Sequence, residues 1–186
     1  MNIGVGVTGA SGAIYALRLA EIAGGIDGVT LHYIFSTIGK KIFEIELEKP
    51  VETLKSYGAV IHENTDIFLP YASGSNTFDA MAVLPCSMNT LAHIAAGAAD
   101  TLITRAADVM LKERRKLLLV IRETPLSLTH IRNMESVTLS GGILLPASPS
   151  FYMEPETIID LVDSVIFRIT DQLGIPVDHP RYEGGL

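Results

Sequence analysis

The amino-acid sequence predicts an α/β fold, a mostly parallel, doubly wound sheet flanked by helices. Three observations carry this. Short all-apolar segments alternate with helical apolar rhythms along the chain. No turn of the Asn-Gly type joins neighbouring strands into hairpins. The composition is poor in aromatics (6%, no Trp) and dominated by Ala, Gly, Ile, Leu and Val, a mix suited to parallel strands buried on both faces. Such alternation implies right-handed crossovers, with ligands bound beyond the carboxyl ends of the strands. At 186 residues, 48% of them apolar, residues 1–186 suit one domain with a generous core.

Residues 3–8 form the first strand, apolar apart from its glycines, and run into Thr8-Gly9-Ala10-Ser11-Gly12-Ala13 before a helix over 13–23. A second strand covers 30–35, a helix 37–46, and a helical turn opened by Pro50 covers 51–56. Residues 60–62 suit a short edge strand. From 66 to 79 the text is loop-like, with Pro70, Ser73, Gly74, Ser75 and Asn76 supplying turn chemistry, and a loop of this length marks function or an interface. A strand over 80–84 ends in Pro85-Cys86-Ser87-Met88-Asn89-Thr90, and a helix over 91–96 stops at Gly97. Residues 101–111 are amphipathic, with Ile103, Ala106, Ala107 and Met110 opposite Arg105, Asp108 and Lys112. A strand over 117–121 leads into Arg122-Glu123-Thr124-Pro125-Leu126-Ser127. A helix over 130–139, a strand over 143–145 and a long helix over 155–173 complete the pattern. That helix and the tail 174–186 are candidates for subunit contacts.

The formal charge of -7 argues against a general nucleic-acid or anionic-membrane binder, which needs a broad basic surface. Seven of the 14 basic residues nevertheless lie between Arg105 and Arg132, against three acids in that stretch. The single cysteine, Cys86, has no internal partner and no leader precedes the first strand, so a cytoplasmic setting is expected. No apolar run approaches the ~20 residues of a membrane span. The five histidines are scattered without ligand spacing and Cys86 has no cysteine partner, so no metal site is expected.

Four strand ends gather the polar residues. The loop at Gly9 to Gly12 is G-x-x-G, short of a dinucleotide fingerprint, yet it offers close backbone approach and a helix N-terminus to a phosphate. A capped helix start without a ligand reads equally well from these residues. Ser36-Thr37 and Ser87-Met88-Asn89-Thr90 add hydroxyls and an amide, for which N-capping is the commoner role. Their repetition at three of the four strand ends suits one ligand with a phosphate and several polar edges. Arg122-Glu123 follows an apolar strand directly. An ion pair between neighbours is one account; the other gives Arg122 to a bound anion and Glu123 to proton transfer, with partial burial tuning its carboxyl. Arg105 and Lys112, two turns apart on one helical face, can reach a phosphate or form a solvated face.

Several segments together resemble the flavin prenyltransferases of the UbiX type, which support UbiD-type decarboxylases. They are Gly-Ala-Ser-Gly-Ala-Ile-Tyr-Ala-Leu-Arg-Leu (9–19), Ala-Ser-Gly-Ser (72–75), Pro-Cys-Ser-Met-Asn-Thr-Leu-Ala (85–92), Arg-Ala-Ala-Asp-Val-Met-Leu-Lys-Glu-Arg-Arg (105–115), Arg-Glu-Thr-Pro-Leu-Ser (122–127) and Phe-Tyr (151–152). The resemblance implies a Rossmann-like homo-oligomer, a dodecamer in the family, joining a dimethylallyl group from dimethylallyl phosphate to N5 and C6 of reduced FMN without a metal. It places Gly9, Ala10, Ser11, Ser36, Ser87, Met88, Asn89, Thr90 and Arg122 on FMN, and Lys112, Tyr152, Arg168 and Arg105 at the prenyl phosphate, some of them from a neighbouring subunit. Lys112 and Arg168 would stabilise the departing phosphate, while Glu123 and Ser11 would handle protons. Ile67, next to Phe68, occupies a position that is aromatic in some members, and Glu46 matches an acidic position loosely.

Two other readings share the fold. A flavin-dependent cysteine-type decarboxylase has a similar Pro-x-Ser-x-Asn-Thr turn but uses a histidine near the loop that here reads Leu69-Pro-Tyr-Ala-Ser-Gly-Ser75, which has none. The other is a non-catalytic flavin-binding subunit of a decarboxylase complex.

Overall fold

In the computed structural model, which describes residues 1–181, six strands form one parallel sheet. β1 is Asn2–Val7, β2 Thr30–Phe35, β3 Val60–Glu63, β4 Ala80–Cys86, β5 Lys116–Ile121 and β6 Ile143–Pro146, in the spatial order β3-β2-β1-β4-β5-β6. All five pairings are parallel, so the expected mostly parallel sheet is wholly so among the described strands. β1, β4 and β5 are buried nearly end to end, which is why their sequences run apolar without alternation.

The helices are α1 (Ala13–Ala23), α2 (Thr37–Leu47), α3 (Met88–Ala95), α4 (Leu102–Lys112), α5 (Leu128–Leu139) and α6 (Ile158–Leu173). They cover the sheet in two layers. Ile3, Val5 and Val7 of β1 pack with Leu19 of α1, Phe43 of α2 and Ile166 of α6. Met81, Val83 and Leu119 pack on the other face with Leu91 of α3, Met110 of α4 and Val137 of α5. Each such side chain contributes about 1.5–3 kcal/mol by leaving water. Because the chain leaves β1 toward one layer and β4 toward the other, the crevice between the ends of β1 and β4 is the switch point where such sheets bind ligands.

Hydroxyl caps set several helix starts earlier or later than the apolar rhythm suggests. Ser87 accepts from Thr90 N, so α3 begins at Met88 and its first turn includes Asn89 and Thr90. Ser127 and His130 form a capping box, which moves the start of α5 from the expected residue 130 to Leu128. Thr157 and Asp160 do the same for α6, which starts at Ile158 and not at 155. Residues Val51–Tyr57 are a 3-10 helix, and a short 3-10 turn, Pro70–Ala72, interrupts the long loop. Ile175 to Arg181 belong to the expected tail, while residues 182–186 lie outside the described residues.

Candidate active site

Hydroxyl and backbone hydrogen bonds fasten three strand ends into one wall. The Thr8 hydroxyl, 1% exposed, donates to Pro85 O at 2.8 Å and accepts from Ser87 N at 2.8 Å. Ser36 N donates to Val7 O at 2.9 Å, and Ser36 Oγ accepts from Gly39 N at 3.0 Å. Ser87 Oγ lies 3.1 Å from Thr90 Oγ1. The predicted residues Gly9, Ala10, Ser11, Ser36, Ser87, Met88, Asn89 and Thr90 therefore come together around the β1, β2 and β4 ends. Ser11 and Asn89 are exposed there, whereas Ala10, Met88 and Thr90 are buried.

The glycine-rich loop itself carries a feature that its own sequence does not announce. Gly12, with φ 110, turns the chain into α1, a backbone setting that glycine adopts without strain. The amides that follow are already occupied: Glu46 of α2 accepts from Ala13 N at 2.8 Å and from Gly12 N at 3.0 Å. A carboxylate from the same chain thus sits where a phosphate would be cradled. The helix starts of α2 and α3, capped by Ser36 and Ser87, remain for an anion.

Arg122 follows β5 on the same edge. Its Nε is buried with no hydrogen-bond partner, alone in this respect among side-chain atoms of the described residues. Burial lifts the phenol of Tyr15 above its ordinary value, and the charge of Arg122 opposes that rise. A buried, orphaned guanidinium nitrogen is costly unless a ligand meets it. The neighbouring Arg122–Glu123 ion pair is not formed. Glu123 is exposed, with Oε1 accepting from Thr124 N at 3.0 Å, so the partial burial expected for its carboxyl is absent from the single chain.

The remaining candidates lie elsewhere. α4 runs back toward the edge where the strands begin, and ends at Lys112 just before β5 starts at Lys116. A six-residue strand spans about 20 Å, so Lys112 and Arg122 stand at opposite edges of the sheet. Lys112 Nζ bonds Glu113 Oε1 at 2.9 Å, and Gly74 lies so close to this pair that a side chain there would strike it. Arg105 Nε donates to Ala72 O at 3.1 Å. The face of α4 that carries both cations thus holds the 72–75 loop. Tyr152 and Arg168 meet in a cavity of about 670 Å³ along α6, in the other layer. Among the described residues, one chain does not assemble the donor-phosphate set.

Two further points concern side chains the sequence left unassigned. Cys86 is fully buried, and burial pushes its thiol up to about 12, which agrees with a small packed residue and not a nucleophile. The histidines are not all apart: His32 Nδ1 and His62 Nε2 lie 2.9 Å from each other, with the Tyr71 and Phe78 rings packed against His32. The 69–75 loop has no histidine of its own, yet Tyr71 rests on these two. No group of three or more His, Cys, Asp or Glu side chains among the described residues is placed to hold a metal ion, and none of the described helices is long and apolar enough to cross a membrane.

The Flavoprotein family model matches residues 1–167. The chain is 43% identical to the flavin prenyltransferase UbiX of Thermoplasma acidophilum over 96% of this chain and 97% of that one. Its fold superposes with a TM-score of 0.93 on a dodecameric FMN-dependent UbiX-like decarboxylase from Escherichia coli O157:H7, 41% identical and covering 99% of this chain and 100% of that one. It superposes equally well, at 0.93, on AnUbiX (PadA1) in complex with FMN and dimethylallyl pyrophosphate, 39% identical over 100% of this chain and 98% of that one. On this evidence the chain belongs to the flavoprotein family, among the flavin prenyltransferases of the UbiX type.

Proposed function

We propose that this chain is a flavin prenyltransferase that joins a dimethylallyl group from dimethylallyl phosphate to N5 and C6 of reduced FMN, and that the site is completed between copies of the chain. The observation that carries it is the buried, orphaned Arg122 Nε at an edge lined by Ser36, Ser87 and Thr90. These residues fit FMN: the hydroxyl-capped starts of α2 and α3 suit its phosphate, and Arg122 suits a flavin edge or anion. Glu46 excludes the start of α1 from phosphate binding, so the Gly9 to Gly12 loop faces the reacting ring, with Ser11 exposed on it.

Reduced FMN supplies nucleophilic N5 and C6 when bound. The protein's part is alignment and charge. Lys112, Arg168 and Tyr152 hold the donor phosphate, with Arg105 close by, and the fixed cations offset charge that develops on the leaving oxygen without any metal. Holding both reactants in contact contributes much of the rate. Glu123 and Ser11 hold and move the protons. Lys112 lies at the edge opposite Arg122, so one copy supplies it to the crevice of another, within a homo-oligomer that we take to be a dodecamer. The product serves a UbiD-type decarboxylase.

Relatives that are flavin prenyltransferases at about two-fifths identity over nearly the whole chain favour this reading over a cysteine-type decarboxylase or a non-catalytic subunit. Incubation of the protein with reduced FMN and dimethylallyl monophosphate without oxygen, followed by mass analysis of the flavin, tests it. A flavin heavier by one five-carbon unit is expected. An unchanged flavin beside an active control contradicts the assignment.

A further inference from the structure

The cavity along α6 contains a charge cluster of which the reaction as described uses Arg168 alone. Asp171, one turn beyond Arg168, gathers three basic side chains. Arg168 Nη1 donates to Oδ2 at 3.3 Å, Arg181 Nη2 donates to Oδ1 at 2.9 Å, and His179 Nε2 lies 3.1 Å from Oδ1. Burial alone would raise the Asp171 carboxyl, but hydrogen bonds from His179 and Arg181 outweigh it and hold the carboxyl below its usual range.

The chain reaches this arrangement by turning back. α6 stops at Gly174, with φ 76, and the following segment returns along the helix. The His179 ring stacks on Phe167 with centroids 4.7 Å apart and planes 3° from parallel, and its side chain is 4% exposed. One apolar and one ionic contact therefore anchor the segment, and Arg181, 63% exposed, extends past them beside Arg168.

The charges sort along the cavity. Asp160 is engaged at the start of α6 by Thr157 N, and Asp163 is held by Arg18. Glu154 and Glu156 lie toward that end and would repel an anion there. At the other end two guanidiniums face one carboxylate, Arg181 spanning both of its oxygens through Nη1 at 3.4 Å and Nη2 at 2.9 Å, which leaves net positive charge and further N–H donors on each guanidinium. A phosphate monoester carries up to two negative charges and accepts bidentate donors, so it matches a pair of guanidiniums better than one.

We propose that Arg181 is a second phosphate-binding residue of the prenyl-donor site and that Asp171 is a positioning residue that aims Arg181 and Arg168 together. The segment 175–181 is the arm that carries Arg181 into place. This rests on the reading of Arg168 as a donor-phosphate ligand.

The test uses the full FMN-loaded assembly and three variants, Arg181→Ala, Arg181→Lys and Asp171→Asn. Two quantities are measured: KM and kcat for dimethylallyl phosphate, and the dissociation constant of inorganic phosphate by phosphorus NMR without turnover. Arg181→Ala is expected to raise KM and the phosphate dissociation constant about tenfold, with a smaller change in kcat; such a factor matches the loss of one charge-assisted contact. Arg181→Lys recovers part of the loss, since it restores charge without the fork. Asp171→Asn weakens phosphate binding in the same direction. Parental KM and phosphate binding in Arg181→Ala overturn the proposal, and so does a lowered melting temperature with both constants unchanged. Should the parent protein transfer no prenyl group, the prenyltransferase reading fails, while the phosphate titration still decides the role of Arg181.

Discussion

Glu46 holds the first turn of the neighbouring helix: its carboxylate accepts from Ala13 N at 2.8 Å, and so joins α2 to the loop that carries Ser11. The contact couples a charge to a helix start, an arrangement worth about 0.3–1 kcal/mol at an exposed site. Its larger consequence is placement, because the amides of Gly12 and Ala13 fix where Ser11 stands. Glu46→Gln keeps one acceptor oxygen and is expected to retain FMN with turnover lowered severalfold. Glu46→Ala is expected to lower turnover further. FMN content and flavin prenylation rate, measured together, check this.

Thr8 is the second fixed point. Its buried hydroxyl serves both Ser87 N and Pro85 O, the latter also reached by Thr8 N at 3.2 Å, so Thr8→Val takes the acceptor from Ser87 N and one of two donors from Pro85 O, at a cost of about 1–3 kcal/mol. A lower midpoint in urea and weaker FMN binding are expected together, since Ser87 caps the helix start assigned to the phosphate.

Glu123→Gln is expected to bind FMN as the parent does and to lose most turnover. Its position directly after Arg122 motivates the assignment, and in the single chain its carboxylate is exposed, accepting from Thr124 N at 3.0 Å. Full activity in this variant would remove Glu123 from proton handling.

The His32–His62 pair makes stability depend on acid. Burial, with the neighbouring His62 adding to it, lowers His32 from 6.5 to about 4, and burial likewise lowers His62, with Asp66 opposing. His32 is therefore neutral in the fold, while the unfolded chain takes up its proton at the ordinary value. Stability is fully present above pH 6.5 and falls as pH drops toward 4. A shift of this size has a ceiling of about 3 kcal/mol, and solvent reaching the half-buried His62 side reduces the expected loss to about 1–2 kcal/mol. Melting temperature against pH reads this out, and His32→Gln is expected to flatten the acid limb.

The sheet and its layers were legible in the sequence because strands buried on both faces are written as unbroken apolar runs, and because their polar ends stand out against them. Ser36, Ser87, Asn89 and Arg122 stand out by that contrast, and the fold gathers them at one edge of the sheet. Helix starts were placed less well where Ser87 and Ser127 act as caps before the apolar rhythm begins. The Glu46 contact depends on how α2 packs on α1, and the His32–His62 pair on the register that sets Ile34 beside His62; neither is encoded in local spacing. The distance between Lys112 and Arg122 was open to reading, since a helix that precedes a strand ends where that strand begins.

A site shared between copies is open to complementation. Lys112→Ala and Arg122→Ala are each expected to abolish flavin prenylation alone. Assembled into mixed oligomers, verified by native mass spectrometry, the two place an intact Lys112 from one copy against an intact Arg122 from another. Prenylated flavin is expected to reappear in proportion to the mixed sites. Mixed oligomers that stay as inactive as either parent variant would contradict a shared site.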